Sequence, residues 1–341
     1  MKIHFVCKHV SLPRILFSKY IIPLRIKEIG GGKIKGKIFF GKGGGKLKYR
    51  TDLAIERKEI LDEEHGGKRE IDGIELEKVT YDEDIESTRI RILNEEGEAQ
   101  LEKPRGTYIT IEVEGILEEK EGIKERAAKA LAKELSRLIP FHEHLKVLVA
   151  GLGNEKVTPD ALGPATASKV KVTRHFFLMY EAEGDEELGC VSCIVPGVTG
   201  TTGIETAELI RGAVELTQPE AVLVIDSLAA RNIERVSTTI QINDTGIDPG
   251  GGMGNLRTRL SEETLGRKVV AVGVPTVIDS RTIIREALED HSREAEEIQR
   301  YLEEKGQDMI VTSTDIDQII KDFSDILANG INKTLHPGIY S

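Results

Sequence analysis

The chain has 341 residues and a net charge of −11, enough length for two average domains or one large α/β domain. The charge is uneven, because residues 1–50 hold thirteen Lys or Arg and one acid, a net +12, so the rest carries −23. Such an acidic body argues against a general nucleic-acid binder, which needs a basic surface. Three cysteines are too few for a disulfide framework and indicate a reducing cytosol. No apolar run is long enough to predict a membrane span.

Residues 1–52 are predicted to form a basic leader or propeptide that is disordered. Two Gly/Lys repeats, Gly30–Lys33 and Gly43–Lys46, offer little surface to bury. An alternative hypothesis is that residues 1–46 are not translated and that Leu47 is the start. Residues 53–341 are predicted to form a single α/β domain.

The first part of that domain is rich in charge and in alternating segments. Ile90–Leu93 and Tyr108–Val113 have the pattern of strands with one solvated face. We therefore expect a small, strand-rich antiparallel subdomain over about residues 70–120. Apolar spacing from Gly122 to Ile139 predicts an amphipathic helix that Pro140 ends.

From Lys146 onward, buried strands alternate with helices. Strands are predicted at Val147–Ala150, Cys190–Val195, Ala221–Ile225 and Val269–Val274, and helices at Asp160–Val170, Gly203–Thr217, Arg281–Lys305 and Asp315–Asn332. This alternation predicts an α/β fold with a largely parallel sheet and helices on both faces.

Asp160 follows the first of these strands. Gly151 and Gly153 allow a sharp turn after Val147–Ala150, and Thr158 is predicted to cap the next helix. Asp160 is then expected at the carboxyl end of a buried strand, where open α/β sheets place their chemistry. An acid in the first turn of a helix also has a purely structural use, since it stabilises the helix dipole.

Asp226 is a second acid of the same kind. It directly follows the predicted strand Ala221–Ile225. Because the carboxyl ends of parallel strands converge on one crevice, we expect Asp160 and Asp226 to lie close together. Such a pair can share one proton, one acid serving as general base toward water and the other protonating the leaving group. The same acids can also bind a divalent metal, and spacing alone leaves both readings open.

Two glycine-containing segments suggest other functions. Asp244–Gly246 copies the active-site triplet of pepsin-like proteases, but those enzymes need two triplets on a mostly β scaffold. Gly250–Gly254 favours a flexible or closely packed loop. The alternative is a phosphate-binding nest, which would make the chain a phosphate- or nucleotide-sensing module.

Several blocks of the chain resemble one protein family. They are Arg50–Ala54, Gly151–Asn154, Val157–Pro164, Pro196–Val198, Gly203–Glu208, Asp226–Arg231, Gln241–Gly246, Gly273–Val277 and Leu335–Pro337. In this order they resemble the germination proteases of spore-forming bacteria, which degrade small acid-soluble spore proteins.

The resemblance carries expectations about mechanism. It implies a fold similar to hydrogenase-maturation proteases, with Asp160 and Asp226 as the catalytic pair of an endopeptidase. It also implies a zymogen that removes its own leader. The family favours an acid before the cleaved bond and a hydrophobic residue followed by Ala after it. Asp52–Leu53, followed by Ala54, is therefore the expected self-cleavage site.

The remaining expectations concern surroundings and partners. Family members form tetramers, so a homotetramer is expected, acting on small acid-soluble spore proteins in the cytoplasm of the spore core. The maturation proteases use a histidine as third nickel ligand, and no histidine here matches it convincingly. We therefore expect no required metal or cofactor, no direct nucleic-acid partner and no membrane association.

Overall fold

The computed structural model describes residues 51–340 except 65, 68–70, 251–256, 288–296, 299 and 302–308. The leader, apart from Thr51 and Asp52, lies outside the described residues. Within the described part, no helix combines the length and apolarity needed to cross a membrane.

One mixed sheet forms the centre of the domain. Its strands are β1 (Ile74–Thr80), β2 (Ile85–Ile92), β3 (Gly106–Val113), β4 (Lys146–Gly151), β5 (Cys190–Ile194), β6 (Ala221–Ala230), β7 (Thr239–Asn243), β8 (Lys268–Asp279) and β9 (Ile310–Val311). They lie in the order β1-β2-β3-β7-β8-β6-β4-β5, with β9 added to the end of β8. Strands β8, β6, β4 and β5 are parallel, whereas β1, β2, β3 and β7 are antiparallel.

Helices cover both faces of this sheet. They are α1 (Ala54–Glu64), α2 (Glu95–Leu101), α3 (Ile123–Leu138), α4 (Leu162–Ala167), α5 (Arg174–Met179), α6 (Thr199–Thr202), α7 (Thr206–Thr217), α8 (Glu262–Leu265), α9 (Ser280–Ala287) and α10 (Ile316–Leu335). The main core joins α3, α4 and α10 to one face, and a smaller core joins α7 and α8 to the other. The parallel strands are buried on both sides, which explains their continuous apolar sequences.

The predicted α/β class is confirmed. The strands expected to form a small antiparallel subdomain over about residues 70–120 belong to the main sheet. They continue it, because β7 pairs with β3 on one side and β8 on the other. The predicted helix Arg281–Lys305 is described as α9, and its remainder falls largely outside the described residues.

Two local predictions around the acids were wrong. Asp226 does not end a strand, because β6 continues to Ala230 through its pairing with β8. Thr158 does not cap a helix. Thr158–Asp160 is a short 3-10 turn that starts after Val157 and has no side-chain cap. The amide of Asp160 instead donates to the carbonyl of Val157 at 2.7 Å.

A step in the sheet follows from unequal strand lengths. Gly151, the last residue of β4, pairs with Ile225, while β6 runs on to Ala230. Beyond Ile225, the edge of β6 that faced β4 therefore lacks its neighbouring strand.

Candidate active site

Asp226 is the first residue of β6 beyond this step. Its side chain is only 4% exposed. One carboxyl oxygen, Oδ1, accepts a hydrogen bond from the amide of Ser227 at 2.9 Å. A buried carboxyl group with one hydrogen bond at one oxygen is well suited to carry a proton on the other.

Asp160 reaches the same step from the turn that follows β4. The carbonyl of Asp160 accepts from the amide of Asn154 at 3.0 Å, which closes the turn. The hydroxyl of Thr276 in β8 donates to the carbonyl of Pro159 at 2.7 Å and ties the turn to the sheet.

Gly153 makes the close approach in this turn possible. Its φ is +109°, and a Cβ added there would lie 2.0 Å from the carbonyl oxygen of Asp160. The glycine is therefore required for both conformation and space.

Burial and neighbouring charges shift the pKa values of both acids. Burial raises the pKa of Asp226 well above its ordinary value, and the negative charge of Asp160 raises this pKa further. Burial also raises the pKa of Asp160. Arg257 opposes both shifts, because its positive charge lowers the pKa of each acid. The charge of Asp160 therefore acts on the carboxyl group of Asp226, the other acid that the sequence singled out.

Asp52 occupies the open edge of β6 next to this pair. Its amide donates to the carbonyl of Ala229 at 3.0 Å, and the amide of Ala229 donates to Asp52 Oδ2 at 2.9 Å. The charge of Asp52 also raises the pKa of Asp226. Ser227 and Ala229 are two residues apart, roughly 7 Å along a strand, so Asp52 lies beside the acids on one edge.

The peptide bond between Asp52 and Leu53 is held at both ends. Lys103 Nζ donates to the carbonyl oxygen of Asp52 at 2.9 Å. The amide of Leu53 donates to the hydroxyl of Thr51 at 3.0 Å. Thr51 in turn donates to the buried carboxylate of Glu56.

The residues after this bond belong to the folded domain. Leu53 and Ala54 are fully buried, in a cluster that includes Ile90, Ile92 and Tyr108. Glu56 of α1 accepts from the amides of Arg231 and Asn232, just beyond β6, at 2.7 Å and 2.9 Å. Helix α1 is therefore attached to the end of β6, and it fixes where Asp52 lies.

Comparison with known proteins gives the family. A profile of the germination protease family matches residues 52–294. The chain is 42% identical over 316 residues to the germination protease of Caldanaerobacter subterraneus subsp. tengcongensis, covering 86% of this chain and 96% of that protein. It is 43% identical over 313 residues to that of Clostridium perfringens strain 13, covering 85% and 96%. The chain belongs to the germination protease family.

It is accordingly an endopeptidase with a role in spore germination. Among germination proteases, that of Bacillus pumilus strain SAFR-032 is 38% identical over 350 residues, covering 85% of this chain and 94% of that protein. Among solved structures, the NiFe hydrogenase maturation protease HycI from Thermococcus kodakarensis KOD1 covers 58% of this chain at 13% identity, with a TM-score of 0.29. That match includes 99% of the HycI chain.

The other sequence candidates have structural contacts or lie largely outside the described residues. Oδ1 of Asp244 accepts from the amide of Thr107 at 2.7 Å, so this carboxylate has a structural contact between β7 and β3. Gly250 is described, but the rest of the glycine-rich run lies outside the described residues. Over the described part of the chain, no group of three or more His, Cys, Asp or Glu is placed to hold a metal ion.

Sequence reasoning missed Lys103 and Arg257. Lys103 follows Glu102, whose left-handed φ of 52° ends α2 and redirects the chain. Its contact with Asp52 joins residues 51 positions apart, which no local pattern indicates. Arg257 follows the undescribed segment 251–256, and only its effect on the two pKa values marks it.

Proposed function

We propose that this chain is a self-processing endopeptidase that starts the degradation of small acid-soluble spore proteins, with Asp160 and Asp226 as its acid–base pair. The observation that carries the proposal is that Asp226 is buried on β6 just beyond the end of β4, where the charge of Asp160 acts on it. Family membership supports the protease activity and its place in germination. The acid pair supplies a chemistry for it.

The environments of the two acids suggest different roles. Asp226 is the more strongly perturbed and is buried, so it holds the proton and serves as general acid. Asp160 is less enclosed and its pKa is raised less, so it is the ionised base. Pairs whose environments separate their pKa values commonly divide the work in this way.

The proposed reaction needs one water and no covalent intermediate. Asp160 takes a proton from water as the water oxygen bonds to the carbonyl carbon, and the π electrons move to the carbonyl oxygen. The tetrahedral intermediate then expels the amide nitrogen, which takes the proton of Asp226. Two carboxyl groups and one water thus suffice for peptide hydrolysis.

The same chemistry acting on the chain itself would cut between Asp52 and Leu53. Asp52 already lies along the edge of β6 that carries Asp226, and its charge acts on that acid. The residue after the bond is Leu53, followed by Ala54, and both remain in the folded core. Cleavage here would remove the basic leader and leave the domain intact.

Replacing either acid by asparagine tests the pair. We expect Asp160→Asn and Asp226→Asn to fold, to remain unprocessed and to leave spore-protein substrate uncut. Asp244→Asn is the matched control, because an amide oxygen still accepts from Thr107, and it should process normally. Full activity in Asp226→Asn would overturn the proposed mechanism.

The substrate, assembly and location are tested separately. An acid extract of spores supplies the small acid-soluble proteins, and mass spectrometry of the first products should show cuts after Asp or Glu. Sedimentation should give a particle of four chains, the proposed homotetramer. Immunogold labelling of sporulating cells should place the protein in the spore core.

A metal-assisted hydrolase using the same acids is the alternative mechanism. Activity that survives EDTA would support the metal-free pair. Activity lost in EDTA and restored by one divalent ion would favour the alternative. A phosphate-sensing module at Gly250–Gly254 would instead show phosphate binding without peptide hydrolysis.

A further inference from the structure

The binding of Asp52 points to how an acidic residue is recognised. The amide of Ala229 lies 2.9 Å from Oδ2 of its carboxylate. Burial raises the pKa of this carboxyl group, and the positive charges of Lys103 and Arg57 oppose that shift. Of the two charges, that of Lys103 has the larger effect. Lys103 also contacts the main-chain oxygen of the same residue at 2.9 Å. One lysine thus acts on both the side chain and the cleaved carbonyl group.

The surroundings of Lys103 shift the pKa of its ammonium group. Burial lowers the pKa of its ammonium group, and the charge of Asp52 opposes that shift. The charges of Arg57 and Arg259 lower the pKa of Lys103 further. Burial in turn raises the pKa of Asp52, and the charge of Lys103 opposes that shift, so each group favours the charged form of the other.

There is unfilled space next to the Asp52 side chain. A cavity of about 110 Å³ adjoins Asp52 and Lys103 and is also lined by Leu228, Arg259 and Gly273. Gly273 pairs with Asp226 across β8 and β6, so the cavity reaches the strand next to Asp226. The longer side chain of glutamate can therefore enter where aspartate now lies.

We propose that Lys103 and the amide of Ala229 form the subsite for an acidic side chain on the amino side of the cleaved bond. In a substrate protein, Asp or Glu takes the position that Asp52 takes in the intact chain. Lys103 pairs with its charge and holds the carbonyl oxygen during attack by water. This inference rests on the proposed cleavage at Asp52–Leu53.

The first experiment uses self-processing of the full chain. Processing of wild type, Asp52→Glu and Asp52→Asn is followed by intact-mass measurement. Asp52→Glu should process within a few-fold of wild type, and Asp52→Asn roughly tenfold to a hundredfold more slowly, the usual effect of losing a charged hydrogen-bond partner. Equal rates for Asp52→Asn and wild type would overturn the inference.

The same comparison in a Lys103→Met background assigns the effect to Lys103. The difference between Asp and Asn at position 52 should shrink to within about threefold there, whereas general damage would slow both chains equally and leave their ratio intact. Lys103→Arg should restore most of the preference. Lys78→Met, which removes an exposed lysine paired with Glu86, is the matched control and should keep it. An unchanged ratio in Lys103→Met would overturn the inference.

Peptides added to the processed protein test the subsite in trans. A peptide copying residues 48–57 is supplied with Asp, Glu or Asn at the position of Asp52. We expect kcat/KM for the acidic peptides to exceed that for the Asn peptide in wild type, and the three values to converge in Lys103→Met. A wild type that cuts neither itself nor any peptide contradicts the proposed protease function itself. If the wild type cuts and Lys103→Met keeps the same preference for acidic peptides, the result contradicts only the role of Lys103.

Discussion

Asp52 and Ala229 form a two-way hydrogen-bonded pair, since the amide of each donates to the other residue. The amide of Asp52 donates to the main-chain carbonyl of Ala229, and the amide of Ala229 donates to the Asp52 carboxylate. This pair fills an edge of β6 that β4 is too short to cover. The last residue of the predicted leader is thus bound to the edge of the strand that carries Asp226 by one main-chain and one side-chain hydrogen bond.

The pH dependence of cleavage should reveal the ionisation of both acids, Asp160 and Asp226. Asp226 must be protonated, so activity should fall as pH rises through its raised pKa. Asp160 must be ionised, so activity should fall as pH drops through its own raised pKa. The profile of kcat/KM against pH should therefore be a bell displaced to higher pH than two ordinary aspartates would give.

Arg257 offers a way to shift this profile. Its charge lowers the pKa of both acids, so Arg257→Gln should move both limbs of the bell to higher pH. Arg267→Gln is the control, because Arg267 is partly exposed and donates a hydrogen bond to Gln218. A profile that does not move in Arg257→Gln would contradict the assignment of the limbs.

Asp226 should reduce the stability of the fold at neutral pH. Its pKa is raised in the folded state, so its contribution to stability is complete below the unfolded pKa of about 3.9 and is lost as pH rises through the folded pKa. Asp226→Asn, added to the unprocessed Asp160→Asn chain, should therefore raise the free energy of unfolding at pH 8 by about 1 kcal/mol. The gain should shrink toward pH 4, as measured by urea denaturation. A gain that is the same at both pH values would contradict the role of ionisation.

Gly153→Ala should damage the turn that carries Asp160. The added methyl group would meet the Asp160 carbonyl and would also require a left-handed alanine. A shift of about 1 Å in a reacting group costs on the order of a hundredfold in rate, which peptide cleavage assays would detect. Gly212→Ala, in α7 with open space around it, should stay active and gain about 0.5–1 kcal/mol in stability.

Leu53→Ala should loosen the attachment of α1. Leu53 is fully buried, so truncation should cost about 2–5 kcal/mol of unfolding free energy in the unprocessed Asp160→Asn chain. Leu93→Ala removes a leucine that is 54% exposed, and it should change stability by less than about 0.5 kcal/mol. Equal effects of the two changes would mean that the junction is not anchored as described.

The sequence predicted the buried strands well because their apolar runs are local features. Strands β4 and β6 start within one residue of the predicted positions. The extension of β6 past Asp226 was not predictable, because it depends on pairing with β8, which is distant in the chain. That pairing includes Pro275 opposite Leu228, where the register shifts. A proline inside a strand ordinarily argues against one, and here the irregularity accommodates it.

The site residues also differ in whether a local sequence pattern reveals them. Asp160 and Asp226 could be found because each follows a recognisable apolar run. Lys103 could not, since a lysine in a turn after a short helix has no distinguishing local pattern. Its importance arises only when the fold places it against Asp52.

The carboxyl groups of Asp52, Asp160 and Asp226 lie near one edge of β6, so losing Asp52 would affect Asp226. The charge of Asp52 raises the pKa of Asp226, so loss of Asp52 from the edge lowers that pKa. An intact chain and a trimmed chain therefore have different proton affinities at the same side chain. Trimming would change the acidity range in which the protein works as well as its length.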